Sequence, residues 1–225
     1  MAYFSTSASQ EKKMKLYDIS LPISDNLPVW PGNHRVILEV TSSIAEGDQC
    51  NITNIQMGVH TGTHIDAPCH FLKDGVSTDA IPLETFIGPC RVVEIDSEVL
   101  IKKEDLQRYN INKYSRILIK TKNSKMWANN IGSFEKNFVA LGIDAARYLV
   151  EMKSILVGID YISIESFHSK GSTVHKLLLR KNISILEGLN LSGVRAGVYE
   201  LICMPLKLQS CDGAPARVLL RDISR

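Results

Sequence analysis

The chain has 225 residues, of which 44% are hydrophobic and 22% are charged. A chain of this length buries roughly 70% of the surface that it exposes when unfolded, so it needs no stabilising disulfides to fold. Its 26 basic and 24 acidic residues give a formal charge of only +2, and basic residues occur in runs no longer than pairs. This composition is typical of a globular protein and argues against nucleic acid as a partner.

The cysteines are scattered, odd in number and without a C-x-x-C pair: Cys50, Cys69, Cys90, Cys203 and Cys211. Such a pattern favours the reduced thiols of a cytoplasmic protein over a disulfide framework. No stretch approaches the roughly 18 to 20 apolar residues that a membrane span requires. The first residues also lack the continuous apolar segment of a signal peptide. We therefore expect a cytoplasmic protein without a membrane partner.

The chain contains no internal repeat and no linker rich in glycine, serine or proline, which predicts a single domain over residues 14–225. Met14 precedes "KLYDISLPIS", which reads like a natural start. Residues 1–13 are interpreted either as a native extension or as residues foreign to the protein.

Segments rich in β-branched residues predict strands at residues 35–44, 51–59, 91–96, 116–121, 154–160, 183–186, 199–208 and 216–221. The clearest helical spacing lies in residues 143–153, where Ile143, Ala146, Leu149 and Val150 share one face. Shorter helices are expected at residues 103–109 and 173–181. Strands outnumber helices and alternate with them in the second half, so the predicted class is α/β with a mixed sheet.

One segment, "GVHTGTHIDAPCHF" at residues 58–71, concentrates His60, His64, Asp66 and His70. Its glycine, β-branched residues and proline disfavour a helix, so we expect a strand end that runs into a tight turn. Alternate residues of a strand point the same way, which brings His64 and Asp66 together. Gly62 allows the turn to return His60 toward them.

Two imidazoles and a carboxylate suit Zn²⁺, and Mn²⁺ or Fe²⁺ is also possible. Three protein ligands leave a position for water, which a metal activates for attack at neutral pH. His70 is interpreted either as a further ligand or as a general acid/base, because its pKa lies near working pH. The alternative is a solvated histidine-rich loop without a metal.

The stretch "HTGTHIDAPCH" resembles the signature H-x-G-T-H-x-D-x-P-x-H of the cyclase family of metal-dependent hydrolases, which includes bacterial kynurenine formamidases and isatin hydrolases. The resemblance extends over residues 15–223, through "YDISLPISDNLPVWPGN", "VGIDYISIES" and residues 175–220. It implies a single-domain swivelling β/β/α fold with mixed sheets and a few short helices. It also implies hydrolysis of an amide bond with one or two metal ions.

The resemblance further implies that His60, His64 and Asp66 bind the first metal and that Asp66 bridges to a second. His175 and Glu187 match the residues that complete the second site. From the residues alone, His175 is a surface histidine of a short helix, and Glu187 is a solvated strand end.

His70 matches the catalytic histidine of the family, and Trp30 matches the aromatic residue that contacts substrate. Phe71 is expected either to line the same pocket or to support His70. Cys69 is interpreted as a small buried filler and not as a nucleophile. Asp160 follows an apolar strand, and we expect its carboxylate to orient a ligand histidine.

The predicted function is a metal-dependent hydrolase that cleaves an aryl formamide such as N-formylkynurenine, or a small cyclic amide, by metal-activated water with a histidine acid/base. Thr63 and Glu165 replace the alanine and the aspartate expected in the formamidase branch, which leaves the substrate open. The alternatives are a metal-dependent lyase or cyclase and a non-catalytic metal-binding module. The expected partners are a small-molecule substrate and, from the family, further copies of the chain in a homodimer or homotetramer.

Overall fold

The computed structural model describes residues 15–128 and 133–223. The predicted extension at residues 1–13 lies outside this part of the chain. The strands are β1 (Leu16–Asp18), β2 (Ile37–Ser42), β3 (Ile52–Gln56), β4 (His64–Asp66), β5 (Ile87–Glu94), β6 (Leu100–Ile101), β7 (Arg116–Lys120), β8 (Ala140–Leu141), β9 (Leu156–Ile159), β10 (Ser184–Glu187), β11 (Gly197–Pro205) and β12 (Gly213–Asp222). The helices are α1 (Lys103–Gln107), α2 (Ser124–Ala128), α3 (Ile143–Glu151) and α4 (Thr173–Leu179).

Eight strands form one mixed sheet in the order β1-β12-β11-β5-β7-β9-β10-β4. Neighbours from β5 to β10 run parallel, and the other pairs are antiparallel. The short strand β4 also pairs with β12, so the sheet closes on itself like a barrel. The mixed α/β class predicted from the sequence is confirmed. Strand pairs β2–β3 and β6–β8 lie apart from this sheet.

The central strands read as continuous apolar runs because both of their faces are buried. In β7, Ile117 and Ile119 pack under the helices, whereas Leu118 between them points into the barrel. Gly158 in the neighbouring strand β9 leaves room for that leucine, since a Cβ at this glycine would lie 2.6 Å from Leu118 Cδ2. Apolar layers on both sides therefore hold the sheet in place.

Helices α1, α3 and α4 share one apolar core with the sheet. The buried face of α3 presents Ala146 and Leu149 of the predicted face together with Ala145, and the predicted Ile143 and Val150 are partly buried against the same core. This helix packs against α1 and α4, and α4 packs against β10. The packing of α4 on β10 brings the start of the helix to the end of the strand, where the candidate site lies.

Every strand and helix predicted from the sequence overlaps an element of the structure. The short elements β1, β6, β8 and α2 are absent from the predictions, because two to five residues are too few to show a period. No helix in the described ranges combines the length and apolar character needed to cross a membrane.

Candidate metal centre

A short strand and a glycine turn bring His60 and His64 to the carboxylate of Asp66. Strand β4 places His64 Nε2 3.4 Å from Asp66 Oδ1. Gly62 has a φ of +66°, and the turn that it forms places His60 Nδ1 2.7 Å from the same oxygen. The strand end and tight turn predicted from the sequence are confirmed. The Nδ1–H of His64 donates to the Gly62 carbonyl at 2.9 Å, which leaves Nε2 facing Asp66.

Thr63 stands where the resemblance predicts an alanine, and it anchors this turn. Its hydroxyl accepts from the Leu21 N–H at 2.8 Å and donates to the Gly188 carbonyl at 2.5 Å. Gly188 has a φ of +70°, and a Cβ there would lie 2.1 Å from the Gly62 carbonyl oxygen. The motif therefore depends on close backbone contact with the segment after β10.

The distal pair lies beside the motif. His175, in the first turn of α4, and Glu187, at the end of β10, are 7% and 3% exposed. Their Nε2 and Oε1 atoms are 3.3 Å apart, and Glu187 Oε2 lies 3.3 Å from His64 Nε2. The interpretation of both residues as solvated is wrong, because α4 packs on β10 and β10 pairs with β4 in a register that sets Glu187 opposite His64.

Asp66 connects the two groups of potential ligands. One group is His60, His64 and Asp66, the other is Asp66, His175 and Glu187, and within each group the ligand atoms lie within 4.8 Å of one another. Asp66 is 1% exposed, yet its Oδ2 has no hydrogen-bond partner in the described structure. The nearby His175 Nε2 is 3.8 Å away. Since an unpaired buried carboxylate oxygen is costly, this arrangement fits a bound cation.

The electrostatics of the cluster agree with a cation site. Burial disfavours charge on His64 and His175, but the surrounding carboxylates outweigh it and raise the pKa of each imidazole to about 10. Burial also opposes ionisation of Asp66, yet the neighbouring imidazoles hold the pKa of that carboxyl well below its usual range. The carboxylates thus stay ionised and attract positive charge, which a divalent cation supplies to the same atoms.

Glu165 stands where the resemblance predicts an aspartate, and it holds His175. Its Oε2 lies 2.8 Å from His175 Nδ1 and accepts the backbone N–H groups of Val174 and His175 at 3.1 and 3.2 Å. Burial opposes its ionisation, but the bonds from His175 and Ser169 outweigh it and lower the pKa of Glu165 to about 2. Glu165 therefore orients a potential ligand and caps the helix that carries it.

Asp160 does not perform the role that the sequence suggested. Its carboxylate accepts the N–H and hydroxyl groups of Thr121 and Ser124, at distances between 2.7 and 3.0 Å. The prediction that Asp160 orients a ligand histidine is wrong. The side chain organises the loop between β7 and α2, because the carboxyl ends of the parallel strands β7 and β9 meet there.

His70 lies beside the first group. Its ring stacks on His60 with centroids 3.9 Å apart, and its Nδ1 lies 3.1 Å from Asp212 Oδ2. The same Asp212 oxygen lies 2.9 Å from His60 Nε2. Burial disfavours the charged ring of His70 more than Asp66, Asp212 and Glu187 favour it, so the pKa of His70 is lowered. His60, His70 and Asp212 also form a third group with potential ligand atoms within 4.8 Å of one another, so both predicted roles of His70 remain open.

Sequence reasoning did not single out Asp212. The residue precedes Gly213, and the space that a Cβ at Gly213 would fill is taken by the His60 ring, 2.5 Å away. The only local feature that could have indicated a functional role is that this aspartate is followed by glycine just before a strand. The pairing of β4 with β12, which brings this segment to the motif, is a long-range contact.

A cavity of about 340 Å³ opens over these groups. Trp30 and Phe71 line it, as do His60, His64, His70, His175 and Glu187. The Trp30 ring packs edge-on against Phe134 at 5.2 Å, and Phe71 lies 4.2 Å from the ring of His70 and 4.6 Å from that of His175. Phe71 therefore both lines the pocket and supports the histidines.

Cys69 is half-buried, and it packs against the apolar interior of the barrel. Its Sγ lies 3.7 Å from the Cys211 carbonyl oxygen. Burial raises the pKa of the thiol, which disfavours the thiolate that a nucleophile needs. This environment supports the interpretation of Cys69 as a small filler.

Comparison with known proteins agrees with this geometry. The family described as "Putative cyclase" matches residues 17–166. A kynurenine formamidase of Bacillus anthracis is 33% identical over 212 residues, which cover 94% of this chain and 100% of that protein. A solved structure described as a potential metal-dependent hydrolase with cyclase activity shares 37% identity and a TM-score of 0.81, over 94% of this chain and 100% of that one.

Isatin hydrolase A of Labrenzia aggregata, solved with benzyl benzoate bound, shares 26% identity and a TM-score of 0.79, over 94% of each chain. The relative and the two solved structures each match 94% of this chain, and the residues matched by the family include the histidine motif. The resemblance drawn from the sequence is confirmed, and the chain belongs to the cyclase family.

Proposed function

We propose that this protein is a metal-dependent hydrolase that cleaves an amide bond. The observation that carries the proposal is the convergence of three imidazoles and the Glu187 carboxylate on Asp66, whose buried Oδ2 lacks a hydrogen-bond partner within the described structure. Relatives described as a metal-dependent hydrolase and as a kynurenine formamidase support it.

His60, His64 and Asp66 would hold one divalent cation, and Asp66, His175 and Glu187 a second. Nitrogen and carboxylate donors favour Zn²⁺, with Mn²⁺ as the alternative. A bound ion of this kind supplies Lewis acidity, which lowers the pKa of water and polarises an amide carbonyl. The chain itself supplies the positions of the ligands, and Glu165 keeps His175 turned toward the cluster.

His70 is the proposed acid/base. It lines the cavity next to the ligands, and burial lowers its pKa, so the imidazole is neutral at pH 7. A neutral imidazole accepts the proton of the attacking water and then passes it to the departing nitrogen. This proton transfer lets the nitrogen depart as a neutral amine and not as an unstable amide anion.

Trp30 and Phe71 are the proposed substrate contacts. Their rings border a cavity of about 340 Å³, a volume suited to a small planar molecule. An aryl formamide such as N-formylkynurenine and a small cyclic amide such as isatin both combine a flat ring with an amide bond. The names of the formamidase and isatin hydrolase relatives support these two substrates.

The test is metal-dependent turnover. Protein purified without chelator should contain about one or two divalent ions per chain and hydrolyse N-formylkynurenine or isatin. Removal of the metal should abolish turnover, and added Zn²⁺ or Mn²⁺ should restore it. Protein that neither retains nor takes up metal would refute the proposal. Product analysis separates hydrolysis, which adds water across the bond, from the elimination or ring closure of a lyase or cyclase.

Assembly and location remain predictions. We propose the homodimer or homotetramer that the resemblance implies, and sedimentation equilibrium would measure the mass of the assembly. We also propose a cytoplasmic location, which the scattered, unpaired cysteines support.

A further inference from the structure

We infer that Asp212 is a positioning residue that fixes the orientation and the tautomer of His70. The inference rests on the proposed function, since it concerns the group that moves the proton. The carboxylate oxygen Oδ2 of Asp212 lies 3.1 Å from His70 Nδ1 and 2.9 Å from His60 Nε2. One oxygen therefore links the proposed acid/base to a proposed metal ligand.

The backbone ties Asp212 to the histidine motif. Its carbonyl accepts the N–H of Ala67 at 2.9 Å, and the carbonyl of Ala67 accepts the N–H of His70 at 2.9 Å. The pairing of β4 with β12 continues this connection, with Asp66 opposite Gly213. These main-chain hydrogen bonds hold the backbones of Asp212 and His70 close enough for their side chains to form a hydrogen bond.

The ring of His70 has contacts on several sides. It stacks on His60 at an interplanar angle of 28° and meets the edge of Phe71 at 4.2 Å. These contacts set the plane of the ring, but a ring in this plane can still turn over, which exchanges the positions of Nδ1 and Cδ2 and those of Nε2 and Cε1. The bond to Asp212 removes that freedom, because it is the polar contact of Nδ1.

An ionised carboxylate only accepts hydrogen bonds, so Nδ1 of His70 must carry the proton that this bond needs. In the neutral ring, Nε2 then holds the lone pair and is the basic nitrogen. The same reasoning gives His60 a proton on Nε2 toward Asp212, and Nδ1, which lies 2.7 Å from Asp66 Oδ1, would be the nitrogen that binds the cation when one is present. A single carboxylate thereby selects the tautomers of two imidazoles.

Asp212 acts through the histidines and not on the substrate. It is not among the described residues that line the cavity, whereas His60 and His70 are. Its side chain is 47% exposed, in contrast to the 1% of Asp66, and both of its histidine bonds use Oδ2. These features are typical of an orienting carboxylate and differ from those of the buried residue that bridges the two groups of ligands.

The test compares Asp212→Ala with Asp79→Ala. Asp79 is a matched control on the neighbouring segment, where its Oδ1 accepts from Ser77 and from the Ser210 N–H, and no described contact joins it to a histidine. Histidine labelled with ¹⁵N reports the tautomers by NMR at pH 8, and the His70→Gln spectrum assigns the His70 signal. We expect the Nδ1–H tautomer at His70 in the parent and in Asp79→Ala, and its loss in Asp212→Ala.

At saturating Zn²⁺, Asp212→Ala should lower kcat by roughly 10- to 100-fold, with KM nearly unchanged and the metal content of the parent retained. Asp212→Asn, which keeps the volume of the side chain, replaces the alanine variant if that variant does not fold. An unchanged His70 tautomer or an unchanged kcat would overturn the inference, and loss of a metal equivalent would make Asp212 a ligand. The tautomer measurement needs no turnover. An inactive parent protein would therefore count against the proposed function, whereas an unchanged tautomer in Asp212→Ala would count against the role of Asp212.

Discussion

Nδ1 of His175 lies 2.8 Å from Oε2 of Glu165, and the same carboxylate accepts the first backbone N–H groups of α4. One side chain therefore sets both the start of a helix and the direction of the imidazole that the helix carries. The opposite nitrogen of His175 faces Glu187 at 3.3 Å. The orientation of a proposed ligand is built into the helix cap.

Replacing Glu165 by glutamine should weaken Zn²⁺ binding by roughly 10- to 100-fold, because the orienting charge on His175 is lost. Glu165→Asp keeps the charge, so its affinity for Zn²⁺ should fall by less than that of Glu165→Gln. Affinity is measured by competition with a chelator of known strength. Glu98→Gln removes an exposed glutamate that contacts Lys122, and it serves as the control because no described contact joins it to a histidine. Equal affinities for Glu165→Gln and the control would contradict the role.

Replacing Asp66 or His64 by alanine should remove both the metal and the activity. Asp66 belongs to both groups of proposed ligands, so Asp66→Ala should lose all bound metal, whereas His175→Ala should lose at most the second ion. Elemental analysis of the purified variants measures the occupancy. Full metal content in Asp66→Ala would rule out the ligand assignment.

Replacing His70 by alanine should retain most of the metal but reduce turnover by at least about a hundredfold, the scale of general acid–base catalysis. His70 lies outside the two groups centred on Asp66, which is why the metal should remain. His168→Ala, at an exposed histidine, is the control. Undiminished kcat would remove the acid/base role, and loss of metal would instead identify His70 as a ligand.

Metal binding should release protons. In the metal-free cluster, neighbouring carboxylates overcome burial and raise the pKa of His64 and of His175 to about 10, so both rings are protonated at pH 7.5. Coordination requires neutral imidazoles, and the affinity for Zn²⁺ should therefore increase with pH up to about 10. Calorimetry in two buffers of different ionisation enthalpy counts the protons. Binding without proton release, at an affinity independent of pH, would be incompatible with these pKa shifts.

Replacing Gly188 by alanine should lower the free energy of unfolding by at least about 2 kcal/mol. The residue has a φ of +70°, and the added Cβ would meet the Gly62 carbonyl oxygen at 2.1 Å, inside the histidine motif. Urea unfolding measures the change. Gly193→Ala is the control, because a Cβ at that position meets nothing within 4 Å. Equal stabilities would show that the backbone contact adjusts without cost.

The local pattern of apolar residues was sufficient to predict most of the strands and helices. The apolar run of β7 and the helical face of α3 carry their periods in their own residues, so both were predicted near their observed bounds. The turn at Gly62 and the convergence of His64 on Asp66 also depend on neighbours within a few positions. These features follow from strand alternation and the conformational freedom of glycine.

The roles of the distant carboxylates did not follow from local pattern. Asp160 and Glu165 stand near each other in sequence after β9, yet Asp160 binds the loop before α2 and Glu165 binds α4. The choice between them depends on where each loop packs. Asp212 likewise reaches His70 across 142 positions of the chain.

By itself, the sequence determined the α/β class, most of the strands and helices, and the presence of a compact group of potential metal ligands at residues 60–70. The resemblance had implied that Asp66 is shared between two groups and that His175 and Glu187 belong to the second, and the tertiary structure shows this arrangement and the burial of both residues. The tertiary structure alone decided that Glu165 and Asp212 contact the histidines. The physical reason is that alternation and turn geometry act between residues a few positions apart. Burial and charge pairing at this site depend instead on β4 closing the sheet between β10 and β12.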